Sequence, residues 1–230
     1  MKGSIGKIES SGFVDGPGIR TVVFFNGCKL RCKYCHNPDN WCLGDLNYTV
    51  DEVIEKVLHN KPYFGKNGGV TLSGGEPLVQ DKFLIALCQK LKENNIHIAL
   101  DTAGVGNGNY EEILKYIDLV ILDIKDTNGE AYQELTGYEI DESLKFIDTC
   151  NKLNKKMWIR QVIVPGRNDN DNYIKSLKQF ISKINNIERI EFLPYHNMAT
   201  NKYQQLGIDY PYKNIQAMDS KKCDELYKKL

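Results

Sequence analysis

Three cysteines fall within eight positions in the segment Cys28-Lys29-Leu30-Arg31-Cys32-Lys33-Tyr34-Cys35-His36. Thiolates held this close repel one another, so the spacing makes chemical sense when a metal neutralises them. Two groups meet that requirement. One is a zinc ion bound by the three cysteines and His36, although structural zinc sites draw on two separated ligand pairs and His36 adjoins Cys35. The other is a cubane iron–sulfur cluster. Three protein ligands leave one of its irons open to a substrate or cofactor, where an electron-transfer cluster normally has four.

The elements that must position this loop are legible as alternating short apolar runs and segments of helical period. The runs 20–26, 69–73, 96–100, 119–124, 157–164 and 189–193 predict six strands. Thr49-Val50-Asp51-Glu52 reads as a capping box that opens a helix to about residue 58. Leu84, Leu87, Cys88 and Leu91 form one helical stripe, Leu144, Ile147 and Cys150 a second, and Ile174, Leu177, Ile181 and Ile184 a third. Cys88 and Cys150 on these stripes read as core fillers, whereas Cys42 and Cys223 stand alone. Strand–helix units with nearly continuous apolar strands imply a parallel sheet covered by helices, either doubly wound or curled into a barrel. Six units predict an α/β fold, a partial (β/α)6 TIM-like barrel in a single domain over residues 1–230. Residues 1–19 form an N-terminal extension to it and about 197–230 a helical C-terminal segment.

Thirty basic residues balance thirty acidic ones. That balance lacks the electrostatic excess that holds a protein on nucleic acid or an anionic membrane. The longest strongly apolar run near the start, 22–25, is far short of a membrane span, and Met1-Lys2-Gly3-Ser4 leads into no signal-peptide core. The expectation is a cytoplasmic protein with reduced thiols.

In a β/α barrel, chemistry gathers at the C-terminal ends of the strands. The remaining polar motifs fall there. Gly74-Gly75-Glu76 follows the second predicted strand, Asp101-Thr102 the third, Asp123 and Lys125 end the fourth, Arg160 lies on the fifth and His196 follows the sixth. Each has a plainer reading as well: a tight turn at the glycines, a buried Asp123–Lys125 pair, a carboxylate partner for Arg160 and a structural role for His196.

The spacing C-x3-C-x2-C, together with Gly12-Phe13-Val14-Asp15-Gly16-Pro17-Gly18-Ile19-Arg20, Phe24-Phe25-Asn26-Gly27 and Tyr34-Cys35-His36-Asn37, resembles the glycyl-radical-enzyme activating family of the radical S-adenosylmethionine superfamily. The likeness continues through Ser73-Gly74-Gly75-Glu76, Leu100-Asp101-Thr102, Leu122-Asp123-Ile124-Lys125, Trp158-Ile159-Arg160 and Leu193-Pro194-Tyr195-His196. It implies a 4Fe-4S cluster on Cys28, Cys32 and Cys35. It also implies S-adenosyl-L-methionine held by Tyr34, Cys35, His36, Gly74, Gly75, Glu76, Asp123, Ile124, Lys125, Arg160 and His196, and a monovalent cation, Na+ or K+, on Asp101, Thr102 and Asp123. By the same resemblance the reaction is reductive cleavage of the cofactor, and the resulting 5′-deoxyadenosyl radical takes a hydrogen from a glycine of pyruvate formate-lyase. Flavodoxin or ferredoxin would supply the electron to a monomeric enzyme. The Asp15-Gly16-Pro17-Gly18 segment is composed for contact with an extended peptide, with Asp15 as an acceptor and a tight turn as its plainer alternative. Relatives with a ferredoxin-like cysteine insert after the first unit are disfavoured, because no such insert is present. An activator of another glycyl radical enzyme, a small-molecule radical enzyme and a zinc-stabilised binding module stay as alternatives.

Overall fold

The computed structural model describes all residues 1–230. Its strands are β1 (Lys2–Gly3), β2 (Ile5–Gly12), β3 (Arg20–Phe25), β4 (Tyr48–Thr49), β5 (Gly69–Gly74), β6 (Ile98–Thr102), β7 (Leu119–Asp123), β8 (Met157–Ile163) and β9 (Ile187–Pro194). The helices are α1 (Val50–Asn60), α2 (Asp81–Glu93), α3 (Tyr110–Leu114), α4 (Gly129–Thr136), α5 (Asp141–Lys152), α6 (Asp171–Ile181), α7 (Thr200–Gln205) and α8 (Ser220–Tyr227). The main sheet has the order β2-β3-β5-β6-β7-β8-β9, parallel from β3 onward, with β2 antiparallel to β3. Six parallel strands in chain order form the partial barrel that the sequence predicts. β2 and β9 are its two free edges.

Burial follows from the layers. Helices cover the outer face of β3 to β8, so these strands are buried on both sides, whereas β9 at the edge is largely half-exposed. The larger core packs Val23, Leu72, Leu100 and Leu122 of the strands against Val53, Leu84, Leu87, Phe146 and Leu177 of the helices. A second core joins Leu30, Cys32 and Tyr34 to Leu135 and to Tyr195, Tyr203, Tyr210, Tyr212 and Leu226. The segment after β9 is therefore the floor under the cysteine loop. No helix is long and apolar enough to cross a membrane.

The structure corrects several expectations. The extension 1–19 contains β2, whose sequence IGKIESSG buries only its two ends, too weak an alternation to register as a strand. The capping box at Thr49 forms, with Glu52 returning to the Thr49 amide, but α1 runs to Asn60. The third strand begins at Ile98 and runs through Asp101 and Thr102. On α5 the buried stripe is Ser143, Phe146, Ile147 and Cys150, which leaves Leu144 exposed at the flank of that face. Ile184 is buried but lies beyond the end of α6. Helices α3 and α4 have no counterpart in the predicted elements.

Candidate active site

A cavity of about 360 Å³ opens at the C-terminal ends of the parallel strands, and Asp15, Cys28, Cys32, Tyr34, Cys35, His36, Gly74, Gly75, Glu76, Asp101, Thr102, Asp123, Lys125 and Arg160 all line it. Residues from β5, β6, β7 and β8 and from the loops beside them thus meet at one mouth. Ile124 and His196 are not on its wall. The Ile124 side chain belongs to the larger core, and His196 stacks on His36 with ring centroids 4.1 Å apart.

The cysteine loop follows β3 directly and is fixed by its backbone. The Gly27 amide donates to Asn40 O (2.9 Å), Cys28 N to Trp41 O (3.1 Å) and Cys35 N to Cys32 O (2.9 Å). From the other side, Arg31 N and Lys33 N donate to Thr136 O (2.7 Å) and Leu135 O (2.9 Å), so the end of α4 clamps the loop. Burial pushes the Cys28 and Cys32 thiols up to about 12 and raises Cys35, so the protein alone keeps them protonated. A cationic group is needed to turn them into thiolates. No three His, Cys, Asp or Glu side chains converge closely enough to share one metal ion. His36 is turned toward its neighbour, with Nε2 2.9 Å from His196 O. This donor set does not suit a single zinc ion on three cysteines and His36. It fits a multi-iron group that takes one thiolate at each of three corners.

The glycines and Glu76 have separable roles. Gly74 has φ +113°, and a Cβ there would lie 2.4 Å from Phe25 N; a Cβ on Gly75 would lie 2.4 Å from Gly27 O. Close approach to the backbone of β3 and of the loop that follows it therefore already demands glycine at both positions. Glu76 is fully buried and caps the short 3₁₀ turn Pro77–Gln80. Its Oε1 accepts from Thr102 Oγ1 (2.6 Å) and Leu78 N (3.2 Å), and its Oε2 from Ala103 N (2.9 Å). A carboxylate offers about four lone-pair positions, so one on Oε2 is left for a cation in the cavity. Burial pushes the Glu76 carboxyl up to about 7 against the pull of these three donors.

Across the mouth, Lys125 Nζ lies 2.5 Å from Asp123 Oδ2, while Asp123 Oδ1 is buried without a partner. Burial works against the charge on Lys125, but the Asp123 carboxylate beside it holds its pKa well above the ordinary value. Asp101 Oδ2 accepts from Ser73 Oγ at 2.7 Å and stands 3.8 Å from Arg160 Nη1. The Thr102 hydroxyl already donates to Glu76 and accepts from Gly104 N (2.8 Å). Arg160 Nε donates to Glu191 (2.8 Å) and Nη2 to Val14 O, which ties the segment before β3 to the far side of the barrel. Asp15 takes part through its backbone, accepting from Thr71 Oγ1 (2.5 Å). Its half-buried carboxylate keeps its oxygens free on the cavity wall.

Sequence reasoning passed over Ser73, Glu191 and Trp41. Trp41 lines the cavity beside the cysteine loop, with the Arg31 guanidinium 5.1 Å over its ring. The only sequence signal for it was an aromatic residue in a short loop after the cysteines.

Residues 22–177 match the Radical SAM superfamily. The chain is 50% identical, over 100% of its length and 98% of the relative, to the pyruvate formate-lyase-activating enzyme of Clostridium pasteurianum. It is 40% identical to the enzyme of that name from Staphylococcus epidermidis, over 99% of this chain and 95% of the relative. Among solved structures, a radical SAM methyltransferase from Sphaerobacter thermophilus superposes with a TM-score of 0.68 at 15% identity, covering 92% of this chain and 63% of that one, a likeness of fold.

Proposed function

The chain belongs to the radical SAM superfamily and, within it, to the pyruvate formate-lyase-activating enzymes, and from that membership we propose which of its residues hold the cofactors and the protein substrate. When bound, the 4Fe-4S cluster and S-adenosylmethionine supply a 5′-deoxyadenosyl radical that removes a hydrogen from one glycine of pyruvate formate-lyase. Cys28, Cys32 and Cys35 hold the cluster. The observation that carries this reading is the convergence of three buried thiols, Glu76 and the Asp123–Lys125 pair on one cavity. Anaerobic incubation of the cluster-loaded protein with pyruvate formate-lyase, reductant and cofactor is expected to yield a glycyl radical by electron paramagnetic resonance. A radical on another glycyl radical enzyme and none on this one would reassign the substrate.

Glu76 receives the cofactor's ammonium on its remaining lone pair, while Gly74 and Gly75 leave backbone against its methionine end. Tyr34, His36 and Lys125 border the rest of the cofactor, with His196 bracing the His36 ring and Ile124 contributing backbone alone. Without cofactor, Glu76 keeps its proton up to about pH 7, whereas the unfolded chain releases it in the ordinary glutamate range. Its contribution to stability is thus present at low pH and lost as pH rises through 7. Cofactor binding runs the opposite way, because the ammonium needs the carboxylate. Affinity measured by calorimetry is expected to fall about tenfold from pH 8 to pH 6, and Glu76→Gln to bind weakly with no such slope. Equal slopes in both proteins would remove Glu76 from this role.

A monovalent cation, Na+ or K+, would be held by Asp101, Thr102 and the unpartnered Asp123 Oδ1. Oxygen donors suit a hard cation, and the engaged Thr102 hydroxyl contributes its last lone pair. Rates are expected to drop when bulky organic cations replace both ions, and Asp123→Asn to weaken cofactor binding. Identical rates in all three media after thorough exchange would show the site to be misassigned. Flavodoxin or ferredoxin delivers the electron, and the enzyme works as a cytoplasmic monomer of one domain, in which residues 1–19 add β2 to the sheet and about 197–230 pack under the cysteine loop.

A further inference from the structure

Helix α4 reaches the cysteine loop with one face. Its buried residues are Tyr132, Leu135 and Thr136, spaced i, i+3, i+4 and so stacked on one side. Two of them give their carbonyls to Lys33 N and Arg31 N, on either side of Cys32. The Leu135 side chain packs in the same core as Leu30, Cys32 and Tyr34. Tyr132, one turn earlier on that face, is 1% exposed, and its backbone carbonyl accepts from Thr136 Oγ1 at 2.8 Å. Its hydroxyl is one of six buried side-chain polar atoms in the chain that have no partner. A buried hydroxyl that pairs with nothing costs stability, so its retention calls for an acceptor that arrives later. Tyr132 stands behind the cavity wall, and the wall groups whose charges act on its phenol are Cys32, Lys125, Glu76 and Asp123.

We propose that the Tyr132 hydroxyl donates a hydrogen bond to a sulfur at the Cys32 corner of the bound cluster and thereby raises the cluster's reduction potential. The inference rests on the cluster assignment above. Reduction adds one electron, taken from the external reductant, to the cluster and increases the negative charge on its sulfurs. A donor aimed at one of them is therefore stronger in the reduced state and favours it. Tyr132 acts on the potential without touching the substrate, so it is a tuning residue.

The test is Tyr132→Phe, which keeps the ring and removes the donor. Iron and sulfide contents are compared with wild type, and both loaded proteins are then poised with dithionite and mediators in the absence of S-adenosylmethionine. The reduced cluster is read by electron paramagnetic resonance. At a fixed solution potential, the reduced-to-oxidised ratio is expected to fall about three- to tenfold, tenfold corresponding to 59 mV for a one-electron couple. Thermal unfolding adds a second readout: the cluster-free variant should be at least as stable as cluster-free wild type, and the loaded variant less stable than loaded wild type. An unchanged ratio overturns the proposal. If that comes with weakened cofactor binding, the hydroxyl belongs to the cofactor; loss of the cluster from the variant also overturns it, as a purely structural role. Failure of wild type to assemble any cluster would instead undo the reading on which the inference stands.

Discussion

Cys32→Ser is expected to abolish cofactor cleavage and to leave a folded protein. Serine is close in size, and Cys32 is buried against Leu30, Tyr34 and Leu135 in a loop whose backbone is fixed by bonds to Leu135 and Thr136, none of which uses the sulfur. What is lost is a thiolate that only a cationic cluster can stabilise in that buried position, since burial alone pushes the thiol to about 12. The same result is expected for Cys28→Ser and Cys35→Ser. Cys88→Ala separates this effect from general damage. Cys88 is fully buried on α2 among Leu84, Leu87 and Leu91, so its loss should cost about 1 to 2 kcal/mol of stability and leave cleavage intact. Iron and sulfide analysis beside a cleavage assay checks both. Full cleavage by Cys32→Ser, or a demonstrated fourth protein ligand at Cys42, would defeat the assignment.

The cysteine loop was readable because its chemistry is local: three thiols within eight residues point to a shared metal group without any tertiary knowledge. The same holds for the strand ends, since a short β-branched run followed by Gly74-Gly75-Glu76 or Asp101-Thr102 marks both an element and its chemically active end. What escaped was non-local. The clamp from Leu135 and Thr136 joins residues about a hundred positions apart and uses backbone carbonyls, which carry no residue code. Helix α4, with glycine first and only three buried residues over eight, is too short for a 3.6-residue period to stand out. The phase slip on α5 has a similar origin. Leu144 and Phe146 are both apolar, and the choice between them is made by which side of α5 packs into the larger core. For Arg160 the sequence offered two roles, carboxylate partner or cofactor contact. The structure engages it with Glu191 and Val14 O, so its part in the site includes holding the Asp15 segment in place.

That segment bears on the protein substrate. For a radical formed in the cavity to reach a glycine of a folded partner, the glycine must enter as extended chain, and its backbone amides then need acceptors in place of those it has left. Gly16 and Gly18 take φ of +123° and +69°, which folds the segment over β3 and leaves Asp15 on the cavity wall. Arg20, fully buried, pins the turn by donating to Pro17 O (2.9 Å), and Thr71 holds Asp15 O. The carboxylate itself carries no part of this scaffold. Asp15→Asn is therefore expected to fold and to keep its iron and cofactor affinity. Losing a charge-assisted bond to a peptide amide, about 1.5 to 3 kcal/mol, should slow glycyl-radical formation on pyruvate formate-lyase about ten- to a hundredfold. Cofactor cleavage without partner should stay near the wild-type rate, because the contact proposed for Asp15 is with the peptide. A short peptide with the partner's glycine sequence should be a poor substrate for wild type and a poorer one for the variant. If Asp15→Asn loses cluster or cofactor binding, the residue is part of the scaffold after all; if it activates the partner at full speed, the entering chain finds its acceptor elsewhere on the rim.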